Sequence, residues 1–255
     1  MVETLILCGF AFLAGLVDAV AGGGGLIQLP ALLLVAPSAA AGSLATLLGT
    51  NKLSSICGTS VAAIQYARQV PIHWRMVVPA GIAAFFASLF GAVLATSTPS
   101  ASLKPLVLVL LVIVLAYTLL QPDLGNVHAP KWDERRQLWV GMALSAVVGL
   151  YDGFLGPGTG SFLIFALVGI FGFGFLEASA AAKIINVATN LSAILWFAST
   201  GHILFTLALL MGVCNLMGGL LGARLAILKG NRFVRLLFLL VTSALIVKMT
   251  WDFLR

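Results

Sequence analysis

The sequence predicts an all-α polytopic membrane protein: two inverted repeats of about five hydrophobic helices each, the first two of each repeat forming a glycine-tipped hairpin. Three observations carry this reading. Of 255 residues, 61% are hydrophobic and 9% charged, whereas soluble domains carry roughly a quarter charged residues. Apolar runs recur along the whole length, and the mean hydropathy is +1.12. The second half of the chain also repeats landmarks of the first.

The runs fall at about 5–19, 26–36, 42–67, 77–97, 103–121, 137–151, 161–175, 178–199, 203–223 and 233–253. In lipid every backbone N–H and C=O must be paired internally, so such runs read as helices. A β-barrel would instead show strands of about ten residues with alternating polarity, and none is present. The opening Met1-Val2-Glu3-Thr4 lacks the basic region of a signal peptide, so the first segment is expected to stay in the mature protein. Cys8, Cys57 and Cys214 each stand alone in apolar runs, without metal or redox spacing. His73, His128 and His202 fall at segment ends with no ligand-set spacing. No cofactor and no metal are expected. The net charge of +6 resides in short loops beside apolar segments, which is a membrane pattern and argues against nucleic acid.

The repeat is explicit in residues. "GLVDAVAGGGG" from Gly15 aligns with "GLYDGFLGPGT" from Gly149 at an offset of 134, placing Asp18 on Asp152, Gly22 on Gly156 and Gly24 on Gly158. An offset of 131 places Lys52 on Lys183 and "LFGA" at 89–92 on "LLGA" at 220–223. The copies are therefore 1–121 and 137–255, joined by a polar linker at 122–136 within one integral membrane domain. Cytoplasmic loops carry the excess of Lys and Arg. Arg68 and Arg75 mark one such loop, Lys131, Arg135 and Arg136 the linker, and Arg224, Lys229, Arg232 and Arg235 a third. The counterpart of the first, "STGHIL" at 199–204, has no basic residue and is expected outside. The second copy is then upside down relative to the first, with the linker cytoplasmic and both termini periplasmic. Inverted repeats of this kind belong to transporters.

Charge parity requires an odd number of passes per copy, so the glycine breaks read as hairpin turns. Segments 5–19 and 137–151 span about 15 residues, roughly 22 Å of helix, short of the ~30 Å hydrocarbon core. They are expected as partial or re-entrant helices whose polar tips meet near the midplane.

Ionisable groups inside apolar segments are functional candidates because they are costly there; here they are Asp18, Lys52, Asp152 and Lys183. Lys52, Ser55 and Thr59 share one helical face, as do Lys183, Asn186 and Asn190. Two inverted copies would bring two ammonium groups and neutral hydrogen-bonding groups to one centre suited to a small anion. The turns contribute Gly23, Gly24, Gly25 and Gln28 on one side and Gly158, Thr159, Gly160 and Ser161 on the other. Helix N-termini with exposed main-chain N–H groups attract anions. Each reading has a structural counterpart. The Asp and Lys residues could be ion pairs that neutralise one another, and Asp18 and Asp152 could hold the hairpin backbone rather than carry a coupling proton. Asn186 and Asn190 could join helices. Gly91, Gly218, Gly219 and Gly222 read as tight-packing positions.

"GLVDAVAGGGGLIQLPALL", "GTNK" at 49–52, "GLYDGFLGPGTGSFL" at 149–163 and "AAKIINVATNL" at 181–191 together resemble the TSUP, or TauE/SafE, family, and within it the YfcA-type branch. The resemblance covers essentially the whole chain. It implies a secondary transporter in the bacterial inner membrane for a small organosulfur or inorganic sulfur anion, such as sulfite or a sulfonate. It also implies motif positions at Asp18, Gly22–Gly25, Thr50, Asn51, Lys52, Asp152, Gly156, Gly158, Lys183, Asn186 and Asn190. The implied partners are that anion, the lipid bilayer, a coupling proton or other ion, and a second copy of the chain should it self-associate. A passive anion channel would use the same residues. An intramembrane enzyme lacks a Ser/His, Asp/Asp or HExxH arrangement to supply catalysis, so no catalytic residue is expected.

Overall fold

The computed structural model describes residues 2–35, 43–97 and 128–254. The expected apolar segment 103–121 and linker residues 122–127 lie outside the described residues. Eight helices are described: α1 (Val2–Ala21), α2 (Gly25–Val35), α3 (Leu44–Gln69), α4 (Trp74–Ser97), α5 (Glu134–Phe154), α6 (Thr159–Gly169), α7 (Phe175–Ser199) and α8 (Phe205–Leu254). No strand occurs among the described residues.

Local chemistry sets the boundaries that matter for the interior. Ser43 caps α3, its hydroxyl accepting from Thr46 N at 3.3 Å, which satisfies an otherwise unpaired first-turn donor. At the other end Val70 is extended (φ −120, ψ 135), as expected for a residue before Pro71, and α3 stops there. Helix α6 starts from Gly158 at φ 87, a conformation open to glycine and costly for other residues.

Val2–Ala21, Trp74–Ser97, Phe175–Ser199 and Phe205–Leu240 are long and apolar enough to cross a membrane. Helix α3 is as long, at 26 residues or about 39 Å, but devotes one face to polar side chains buried inside the bundle. One expectation needs correction. Helices α1 and α5 have 20 and 21 residues, about 30 Å each, so they are not short partial segments; α2 and α6, with 11 residues each, are the short ones. Runs 203–223 and 233–253 fall on the two helical stretches of α8, which meet at a kink where Gly230 is non-helical (φ 69, ψ −167). Helix α5 begins at Glu134, and the stretch before it is held in place: Ala129 N and Lys131 N donate to Gly172 O and Phe171 O at 2.9 and 3.0 Å.

Helix α1 packs on α8, α4 on α5 and α7, and α3 on α7 and α8. Hydrophobic driving force between helices is weak in lipid, so close approach relies on small residues. A Cβ on Gly218 or Gly222 would strike the Phe12 or Leu16 carbonyl of α1, and a Cβ on Gly91 would strike the Leu150 carbonyl of α5. Gly219 lies against the Gly58 backbone in the same way. The four glycines read as packing positions therefore pack. Large apolar side chains such as Phe86, Phe90, Val147 and Val213 point outward, while Lys52, Lys183, Asn51, Asn186, Asn190 and Gln28 are buried. This inside-out polarity suits a lipid surround and concentrates the chemistry at the centre.

Candidate functional site

The two glycine turns meet. Helix α1 ends at Ala21, and Gly22 turns the chain at φ 77, its N–H donating to Asp18 O at 2.9 Å. Ser161, at the start of α6, donates its N–H to Gly22 O at 3.2 Å and its hydroxyl to Ala21 O at 2.8 Å. A Cβ on Gly160 would lie 2.6 Å from Gly22 Cα, and a Cβ on Gly22 would collide with the Gly160 and Ser161 backbone. Gly25 faces Pro157, and Gly24 sits on Ala14 O and the Asp18 side chain. Gly23 O accepts from Leu26 N at 3.1 Å, and Gly158 O from Phe162 N at 3.0 Å.

Around this joint the four buried ionisable groups pair crosswise. Lys52 Nζ lies 2.6 Å from Asp152 Oδ2, with both side chains 4% exposed. Lys183 Nζ lies 2.9 Å from Asp18 Oδ2, with side chains 0% and 17% exposed. Thr59 donates to the same Asp18 oxygen at 3.1 Å. Each lysine thus takes its carboxylate from the other half of the chain. An isolated charge in such surroundings costs several kcal/mol, and a close partner offsets much of it. A Cβ on Gly156 would come within 3.2 Å of Lys52 Cε and Nζ, so that turn leaves room for the ammonium group.

The remaining candidates divide into two groups. Thr50 Oγ1 donates to Thr46 O at 2.7 Å and accepts from Leu204 N at 3.0 Å, which ties α3 to the approach to α8. Thr159 Oγ1 donates to Gly156 O at 2.7 Å; it and Ser161 are spent on backbone. By contrast, Asn51 Oδ1, Ser54 Oγ and Gln28 Nε2 are buried with no hydrogen-bond partner among the described residues. The Asn186 and Asn190 side chains, each residue 6% exposed, make no hydrogen bond among the described residues either. Buried polar groups are normally satisfied, so this cluster of open amides and hydroxyls next to two lysines is unusual.

Several residues that hold the site are absent from the sequence-based set. Tyr66 and Ser179 hydroxyls donate to Ala19 O and Val20 O at 2.9 and 3.1 Å, fixing the end of α1. The Tyr151 hydroxyl donates to Pro157 O at 2.6 Å, bracing the second turn. Asn215 Nδ2 bridges Ala11 O and Gln28 Oε1 at 3.1 and 2.9 Å. A lone amide in the apolar run 203–223 is the one signal that could have flagged Asn215; the tyrosines and Ser179 carry no comparable pattern. Among the described residues no three His, Cys, Asp or Glu groups gather as a metal site would require.

Comparison with known proteins finds a family and several relatives. The family described as sulfite exporter TauE/SafE matches residues 7–249. A probable membrane transporter protein, ORF9, of a Sinorhizobium species is 35% identical over 242 residues, covering 95% of this chain and 90% of that protein. A probable membrane transporter protein of Haemophilus influenzae is 34% identical over 252 residues, covering 97% of this chain and 94% of the other. The probable membrane transporter protein YfcA of Escherichia coli K12 is 32% identical over 252 residues, covering 97% and 89%. No solved structure matches.

Proposed function

The chain belongs to the TauE/SafE family, and from that membership we propose a secondary transporter that moves a small sulfur-containing anion, sulfite or an organosulfur anion, across the bacterial inner membrane by alternating access. The crossed ion pairs Lys52–Asp152 and Lys183–Asp18 are the observation that carries this reading. In the empty carrier each lysine sits against a carboxylate of the other half. An entering oxyanion takes over one or both ammonium groups, and the open polar groups of Asn51, Ser54, Asn186 and Asn190 supply or accept further hydrogen bonds. The site then exchanges one compensating anion for another, so the cost of an unpaired buried charge is avoided. Asp18 is the readier partner to let go, being the more exposed carboxylate and having Thr59 to hold it.

Two inverted halves, α1–α4 and α5–α8, support alternation. Exchanging them in order leaves the main packing pairs unchanged: α1 on α8 becomes α5 on α4, and α3 on α8 becomes α7 on α4. The ion pairs interchange under the same operation. With the two turn backbones in contact as a pivot, one half can rock against the other around a fixed site. The N-terminal half would then have its basic loop inside, with both chain termini outside.

The direct test is a thermal-shift screen of the purified protein over sulfite, thiosulfate, taurine-like sulfonates and carboxylates. A ligand bound only by the folded state raises apparent stability. Stabilisation by one of the sulfur oxyanions is expected, and it should vanish in Lys183→Ala. Equal stabilisation of wild type and variant would remove the lysine from the site.

A further inference from the structure

A cavity of about 310 Å³ lies between the C-terminal end of α3 and the middle of α8, lined by Gln65, Arg68, Gln69, Arg224, Ile227 and Leu228. That is the lower end of small-ligand sites, which run to about 300–1,000 Å³. Arg68 and Arg224 have no carboxylate partner among the described residues, and Gln65 Oε1 is buried without a hydrogen-bond partner among them. Two guanidinium groups facing one cavity without an anion repel each other. Planar guanidinium forks match phosphate oxygens and suit such a ligand better than a point charge does.

The surroundings identify an amphiphile. Arg68 sits in the last turn of α3, and that helix, about 39 Å long, exceeds the ~30 Å hydrocarbon core, so its end enters the headgroup layer. Beside the arginines the apolar side chains Ile64 and Leu228 are 51% and 72% exposed, which gives an acyl chain a wall directly below a charged pocket. Basic pockets between transmembrane helices bind anionic headgroups in this way. We propose that Arg68 and Arg224 form a phosphate site occupied by the headgroup of an anionic phospholipid, a headgroup hydroxyl donating to Gln65 Oε1, with its acyl chain along Ile64 and Leu228. The site is separate from the lysine centre and does not depend on the transport reading.

The test uses the full chain, stripped of lipid and offered phosphatidylglycerol or phosphatidylcholine, with bound lipid counted by native mass spectrometry. Arg68→Gln/Arg224→Gln keeps two of the three methylenes of each side chain and removes both charges; Arg68→Lys/Arg224→Lys keeps the charges. The wild type should retain phosphatidylglycerol at least about tenfold more tightly than the glutamine variant, since loss of two charge-assisted contacts exceeds one decade of affinity. The lysine variant should fall between, and phosphatidylcholine should not distinguish the three. An unchanged unfolding temperature in phosphatidylcholine shows that the variants fold. Equal phosphatidylglycerol retention by all three proteins overturns the proposal. If retention is equal but inorganic phosphate stabilises only the wild type, a free phosphate rather than a lipid occupies the cavity and the lipid assignment is overturned.

Discussion

Lys52 and Asp152 stand 100 positions apart in the chain, yet their charged atoms lie 2.6 Å apart, with both side chains almost fully withdrawn from solvent. The pair locks α3 of the first half to α5 of the second, as Lys183 and Asp18 lock α7 to α1. A charge-deletion series follows. Lys52→Ala leaves Asp152 buried and unpaired and should destabilise by about 3–5 kcal/mol, whereas Lys52→Met/Asp152→Leu should recover most of that loss. Denaturant unfolding of the three proteins in the same detergent checks the order. Equal stability of the single and double variants would mean that the pair contributes nothing.

The joint between the turns should be intolerant of a single methyl group. Gly22→Ala must adopt φ 77, a left-handed conformation costing about 1–2 kcal/mol without further contacts, and its Cβ would also strike Gly160 and Ser161. Gly9, with open space around it, is the control: Gly9→Ala should be neutral or stabilising by up to about 1 kcal/mol. Thermal unfolding of both variants separates joint from helix effects.

These turns illustrate what the sequence could convey. The paired Gly-Asp stretches and the matched lysines made the interior polar centre legible, because polar residues inside apolar runs have few other reasons to be there. Which carboxylate meets which lysine was not legible: Asp18 is nearer to Lys52 in sequence but pairs with Lys183, and only tertiary packing decides that. Helix ends are less legible: the run 137–151 stops at Asp152, whereas α5 continues to Phe154 with that charge paired, and α1 adds Val2–Thr4 and Val20–Ala21 to the run 5–19. Thr159 and Ser161 looked like ligand donors, but a turn packed against another turn has carbonyls of its own to satisfy.

Acid sensitivity should arise at the loop before α4. The His73 ring stacks on Phe173 at 4.8 Å and lies 5.3 Å from the His128 ring. Burial, then the neighbouring His128, lowers its pKa below the usual histidine value, against a smaller opposing pull from Glu134 and Glu177. A histidine with a depressed folded pKa takes up its proton more readily when unfolded, so stability rises with pH between the folded pKa and about 6.5. It is lost as pH falls through that window. His73→Phe should flatten the dependence, with unfolding temperatures at neutral and mildly acidic pH as the readout. An unchanged slope would show that His73 is not the group responsible.

Inverted halves require opposite exposure of corresponding loops. In a background lacking Cys8, Cys57 and Cys214, Gln69→Cys should label from the cytoplasmic side and Ser199→Cys from the periplasmic side with a membrane-impermeant maleimide. Both positions are exposed at helix ends. Labelling of both from one side would contradict the inversion.

The most direct measurement of the central claim is flux of labelled sulfite or sulfonate into proteoliposomes containing wild type, Lys52→Met/Asp152→Leu and Lys183→Met/Asp18→Leu. These double variants remove each crossed pair without leaving a buried charge. Folded double variants with transport reduced to the protein-free background would match the account. Transport at the wild-type rate in either one would contradict it.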